Sequence, residues 1–269
     1  MACAAERSRL ARRLPPRSWN APAVQNAFTV WRAEHPGRSR LLDGEAIAYF
    51  DYHAERYARL LSIVDQLLGA LEPTDGPRIL DVGPNAQTGL LRIAHPEATV
   101  DTLGFAHPAF PPREHERHVE FDLNGAGDLE HRPSPLDGYD VVLIAEVVEH
   151  LHVPLATVLA MLAGWLRAPG NVLLQTPNGA ALHKRIRLLV GRSPVEPPRA
   201  CAQNPGHVHE YTLSELREQV RSAGLEIDWL EVANHFGGDD PANRLYRAAG
   251  RFLPRTLRHG VTLCARPVR

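Results

Sequence analysis

The chain has little sulfur, almost no lysine and no long apolar run. Its three cysteines, Cys3, Cys201 and Cys264, lie far apart with no C-x-x-C pair. That spacing excludes a disulfide framework and a cysteine zinc site, and it fits a reducing, cytoplasmic setting. No stretch approaches the roughly 18 to 20 apolar residues that a membrane helix needs, so no membrane partner is expected. Lys184 is the only lysine; every other basic side chain is arginine. A GC-rich coding sequence explains that skew more simply than phosphate recognition does. The formal charge of −1 leaves no broad positive field to attract nucleic acid, which is excluded as a partner. The opening "MACAAERSRLARRLPP" is arginine-rich but lacks the apolar core of a secretory signal. Two nucleotide signatures are missing as well. Without G-x-G-x-x-G a nicotinamide-dependent oxidoreductase is poorly supported, and without G-x-x-x-x-G-K-[ST] a phosphate-binding NTPase is too.

What is present suits one large domain. A chain of 269 residues that is 44% hydrophobic can bury a sizeable core. Residues 1–42 are rich in arginine and proline and read as a loosely ordered arm with one short helix near Ala23 to Glu34. From Gly44 to Leu71 the pattern is helical, with Tyr57, Leu60, Leu61, Val64, Leu67, Leu68 and Leu71 on one stripe. Strands and helices then alternate. "RILDVG", "ATVDTLGF", "HVEFDL", "YDVVLIAEV" and "NVLLQTP" read as strands, with "TGLLRIAH" and a helix opened by Pro154 between them. Such alternation predicts a largely parallel sheet with helices on both faces. After Pro177 the rhythm breaks, and residues 178–211 and 234–258 read as lid or substrate insertions. Thr212 and Glu215 form a capping box for a late helix, and "LEIDWLEVA" and "GVTLCARPV" read as the last strands.

The stretch "RILDVGPNAQTGLL" carries the functional question. Ligands of such sheets bind beyond the carboxyl ends of the strands, where strand order reverses. Gly83 lets the backbone approach a ligand, and the following helix N-terminus presents free N–H groups. Asn85 stands where a second glycine is customary, and its tolerance of a left-handed backbone suits it to that position. A cradle of this kind suits carboxylate and ammonium groups rather than phosphates, with Asp81 meeting the ammonium directly or through water.

In order, "ILDVGPNAQTGLL", "FDLN", "YDVVLIAEVVEHLHVP", "LLQTPN" and "HVHEYTLSELREQVRSAGLEI" resemble the blocks of class I S-adenosylmethionine-dependent methyltransferases. They look most like a bacterial small-molecule branch with an E-V-V-E-H block. The resemblance covers roughly Leu71 to Val232. It implies an α/β, Rossmann-like, doubly wound domain over residues 43–269, with a mostly parallel seven-stranded sheet and an antiparallel final strand. It also implies S-adenosyl-L-methionine as cofactor. Asp81, Gly83, Pro84, Asn85, Gln87 and Thr88 would line the methionine end, and Phe105 the adenosine. Asp122 and Leu123 would meet the adenine, Ala145 and Glu146 would floor the pocket, and Tyr52 would close over it. One departure stands out. The acidic residue expected at the end of strand two falls on Gly104, while Asp101 lies too early or faces the wrong way.

Methyl transfer to a hydroxyl needs alignment and a base, and histidine titrates in the right range. His150, oriented by Glu149, is the first candidate, although the pair would equally brace the turn. His207 and His209 end the proline-rich loop, where an acceptor would enter. A metal on those two with a carboxylate is weakly supported by a spacing of two, and none is expected. The implied activity is methylation of a small molecule, an oxygen of a sugar or natural-product intermediate. The alternative is a related fold that has lost or repurposed methyl transfer. A homodimer stays open.

Overall fold

Seven apolar segments assemble into one sheet in the computed structural model, which describes residues 17–71, 76–134, 138–195, 197–201, 205–235, 250 and 252–268. The strands are β1 Arg78–Val82, β2 Thr99–Gly104, β3 His118–Glu120, β4 Tyr139–Ala145, β5 Leu166–Pro177, β6 Leu225–Ala233 and β7 Gly260–Pro267. Their order is β3-β2-β1-β4-β5-β7-β6. Neighbours among β1 to β5 run parallel, and β7 enters antiparallel between β5 and β6. This is the doubly wound, Rossmann-like sheet expected, with its antiparallel final strand.

Alternation along each strand builds two cores. In β4, Val141, Leu143 and Ala145 join one apolar cluster while Val142 and Ile144 join the other. A strand buried on both faces reads as a continuous apolar run, as β4 does. The helices are α1 Ala21–Glu34, α2 Pro36–Ser39, α3 Gly44–Tyr52, α4 Ala54–Gly69, α5 Ala86–Ala94, α6 Leu155–Ala163, α7 Leu182–Leu189 and α8 Leu213–Ser222. Buried residues of α1, α4 and α5 fill one cluster, and those of α6 and α8 fill the other.

Three details differ from the sequence expectations. The predicted Gly44–Leu71 helix is two helices, parted at His53, whose ψ of 8° leaves the helical range. The break separates α3, which borders the cleft described below, from α4, which is buried on every side from Arg56 to Val64. β5 begins at Leu166 rather than Asn171, because Leu166 pairs with Tyr139 across a register shift. The described part of the arm, residues 17–42, is more than a loose arm. Asn20 caps α1 by accepting from the Ala23 N–H at 2.9 Å, and Val24, Phe28 and Trp31 are buried. Phe28 stacks on Phe50 at 3.8 Å and Trp31 on Phe110 at 4.8 Å, so α1 is a layer of the core. The expected crossover within 234–258 falls largely outside the described residues. Among those described, no helix is long and apolar enough to cross a membrane.

Candidate active site

Strand order reverses at β1, with β2 on one side and β4 on the other, so the ends of β1 and β4 mark the switch point. β1 leads into a tight loop. Gly83 has a φ of +80°, and a Cβ there would lie 2.7 Å from Val147 Cγ2, so a side chain at this position is strained and must displace Val147. Gly83 also donates its N–H to the Leu103 carbonyl at 2.8 Å.

Asn85 does not take the left-handed conformation that its place in the loop suggested. Its backbone is extended, with φ −158°, and it is the N-cap of α5. Oδ1 accepts from the Gln87 N–H at 2.8 Å, Nδ2 donates to the Gly83 carbonyl at 3.0 Å, and Thr88 Oγ1 accepts from the Asn85 N–H at 3.0 Å. The missing glycine is replaced by a capping box.

Asp81 lies behind this loop, fully buried. Gln87 Nε2 and Thr88 Oγ1 each donate to one of its oxygens at 2.6 Å. Burial pushes its carboxyl up to about 6, against the downward pull of the Thr88 and Gln87 hydrogen bonds. Asp81, Gln87 and Thr88 therefore brace the loop instead of lining the cavity, which corrects the expectation of direct contact. Ala145 is likewise packed behind the wall. Asp101 is committed elsewhere, accepting from the Tyr139 hydroxyl at 2.6 Å and from Arg78 Nη2 at 3.1 Å. Gly104 adopts φ +124°, and a Cβ there would sit 3.5 Å from Gly83 N. The end of β2 lies in van der Waals contact with the loop and carries no carboxylate.

Beyond these strand ends opens a cleft of about 1120 Å³. Gly83, Pro84 and Asn85 form one wall with Phe105, Asp122 and Leu123, and α3 contributes Tyr49 and Tyr52. Glu146, Glu149, His150 and His207 line the same cleft, so most of the expected site residues meet there. Asp122 caps a short 3-10 turn, its Oδ1 accepting from the Asn124 N–H at 2.9 Å.

The turn after β4 is the most unusual part of the site. Glu146 has a φ of +55°, a left-handed conformation that costs a non-glycine residue about 1–2 kcal/mol. It swings the chain into the 3-10 turn Val148–His150. Glu149 Oε2 accepts from Thr176 Oγ1 at 3.0 Å, while the buried Oε1 has no hydrogen-bond partner. Burial, reinforced by the Glu146 charge, holds the Glu149 carboxyl well above the usual carboxylate range. His150 is oriented by a different group than expected. Its Nδ1 donates to the Gly206 carbonyl at 2.9 Å, not to Glu149. Three hydrogen bonds strap the loop to this turn, since the Val208 and His209 N–H groups both reach the Glu149 carbonyl, at 2.7 and 3.2 Å.

The strap brings His207 to His150, their rings 5.0 Å apart and nearly perpendicular. His207 Nδ1 lies 2.6 Å from Glu210 Oε1, and Glu210 also pairs with Lys184. His209 points elsewhere, its ring 3.6 Å from the Glu215 carboxylate and half exposed. Sequence reasoning missed Lys184 and Glu210 as parts of the site; the single lysine in the chain was the available signal. Burial lowers Lys184 to about 8, partly offset by the charges of Glu146 and Glu149. Further histidines border the cleft, and two of them are strongly shifted toward the neutral form. Burial and Arg56 hold His53 down to about 3, and burial with Lys184 and Arg187 holds His183 to about 4.

A sequence model described as a methyltransferase domain matches residues 52–229. The chain belongs to this methyltransferase family. The methyltransferase fold is similar to that of a SAM-dependent methyltransferase from Archaeoglobus fulgidus, at 16% identity and TM-score 0.53, covering 83% of this chain and 99% of that one. It is also similar to the 1,6-didemethyltoxoflavin-N1-methyltransferase of Burkholderia thailandensis, solved with 1,6-didemethyltoxoflavin and S-adenosylhomocysteine bound. There the identity is 17% and the TM-score 0.50, covering 92% of this chain and 89% of that one. At these identities the likeness is one of fold. No curated protein matches this methyltransferase chain.

Proposed function

We propose that the cleft binds S-adenosyl-L-methionine and that the protein methylates an oxygen of a small polar acceptor, such as a sugar or natural-product intermediate. The position of the cleft carries this reading. It opens at the β1–β4 switch point, where a doubly wound sheet binds its ligands, and one wall is a backbone loop stripped of a side chain at Gly83. That loop and Glu146 would hold the amino-acid end of the donor; Phe105, Asp122 and Leu123 would hold the adenosine, with Tyr52 on the open side. The donor supplies an electrophilic methyl group on a sulfonium.

The residues do the rest by alignment. His150 and His207 sit together at the far side of the loop, where the acceptor hydroxyl would enter. An imidazole there can take the hydroxyl proton as the new carbon–oxygen bond forms. His150, with its Nδ1–H committed to Gly206, keeps a lone pair on Nε2 for that purpose. A second reading is a methyltransferase fold that has lost or repurposed the transfer. It draws on one observation: β2 ends in Gly104, with no carboxylate for the ribose.

Calorimetry with S-adenosylmethionine and S-adenosylhomocysteine separates the two. Micromolar binding of both is expected, and no binding of either favours the repurposed fold. Incubation with labelled donor and a metabolite extract then tests transfer. His150→Ala should lower turnover by about 10²-fold with cofactor affinity within a few-fold; unchanged turnover would assign His150 a structural role.

A further inference from the structure

Glu149, His150 and His207 each present one ligand atom to a common point, and these atoms all lie within 4.8 Å of one another. We infer that the three side chains form a binding site for a divalent first-row transition cation, open toward the cleft. Nothing in the sequence spacing announces it. Glu149 and His150 are adjacent, but His207 lies 57 residues further on and is brought in by the strap of hydrogen bonds to the Glu149 and Gly206 carbonyls.

Two further observations point to a cation. Glu149 Oε1 is buried without a hydrogen-bond partner, although Oε2 is held by Thr176. A buried carboxylate oxygen without a donor is costly, and a metal is one of the few partners that satisfies it. The histidines are also arranged as ligands usually are. His150 Nδ1 faces the Gly206 carbonyl, and His207 Nδ1 faces the Glu210 carboxylate, which is itself paired with Lys184. Metal-bound histidines characteristically donate the other ring N–H to a carbonyl or carboxylate, which fixes the tautomer and the ring plane.

Metal–ligand distances of about 2.0–2.2 Å place ligand atoms roughly 3–3.5 Å apart, so small ring rotations close the site. Two imidazoles with one carboxylate favour zinc, cobalt, iron or manganese over magnesium, which prefers an all-oxygen shell. Three protein ligands leave positions for an oxygen-bearing ligand from the cleft. Under the methyl-transfer reading, that ligand is the acceptor hydroxyl, which would lose its proton to water because the cation lowers its pKa, and the two imidazoles then serve as ligands instead of bases.

The test uses the full chain, stripped with chelator and titrated by calorimetry with Zn²⁺, then with Co²⁺ followed by visible absorption. One Zn²⁺ per chain should bind with micromolar or tighter affinity, and Co²⁺ should show ligand-field bands. His150→Ala and His207→Ala should each weaken Zn²⁺ by more than about tenfold, while His209→Ala leaves it unchanged. His207 is partly exposed, so its variant should fold. Absence of one-to-one binding, parental affinity in both His150→Ala and His207→Ala, or equal affinity for Mg²⁺ would overturn the proposal. Binding of S-adenosylhomocysteine, measured on the same samples without metal, reports on the methyl-transfer reading separately.

Discussion

Replacing Gly83 by alanine tests whether the loop after β1 is held as described. The added Cβ would lie 2.7 Å from Val147 Cγ2, about 0.7 Å inside the 3.4 Å at which ordinary contact begins. Overpacking of that kind costs about 1–3 kcal/mol. The backbone adds its own penalty, because φ is +80° and a left-handed alanine costs about 1–2 kcal/mol. Gly83→Ala should therefore destabilise the protein by about 2–5 kcal/mol in urea denaturation. The two parts can be separated. In Gly83→Ala/Val147→Ala the clashing methyl is gone but the dihedral cost stays, so the double-mutant cycle should show a coupling of about 1–3 kcal/mol. The affinity for S-adenosylhomocysteine should fall in the single variant and recover in part in the double. A Gly83→Ala protein within about 0.5 kcal/mol of the parent, or strictly additive effects, would refute the packing argument.

Asp81 gives a pH test. Its folded pKa is raised from 3.8 to about 6, so its contribution is fully present at low pH and is lost as pH rises through about 6. At about 1.4 kcal/mol per pKa unit, the parent should lose about 2.4 kcal/mol relative to Asp81→Asn between pH 4 and pH 7, and a flat difference would exclude a buried carboxyl with a raised pKa. Phe28→Ala should cost about 3–5 kcal/mol by denaturation, since Phe28 is buried against Phe50; a loss under about 1 kcal/mol would make α1 a detachable arm.

The sheet was legible because strands buried on both faces have to be written in apolar residues, and "VVLIA" in β4 can hardly be read otherwise. The break at His53 carried no such mark. No glycine or proline stands there, and a buried histidine between two amphipathic helices looks like one more turn. Asn85 differs from expectation for a subtler reason. Tolerance of left-handed backbone suits it to a turn, but its N-x-x-T spacing to Thr88 signals a cap, and the cap prevails. The cleft residues that adjoin strand ends, such as Gly83, Asn85 and Glu146, could be placed by position along the chain. The approach of His207 to His150 could not, because it is made by backbone hydrogen bonds across a loop without periodicity. Of the two loop histidines that the sequence offers, His207 and His209, the second turns toward Glu215.

The geometry at the end of β2 limits what position 104 can carry. Any side chain at position 104 must accept a φ of +124° while lying against Gly83 and Pro84. The added Cβ would meet Gly83 N at 3.5 Å and Pro84 Cδ at 3.8 Å, which are ordinary contacts, so the loop leaves room for it and the cost is the backbone dihedral. The adenosine side of the cleft therefore draws its polar groups from Phe105 to Asn124 instead of from the end of β2.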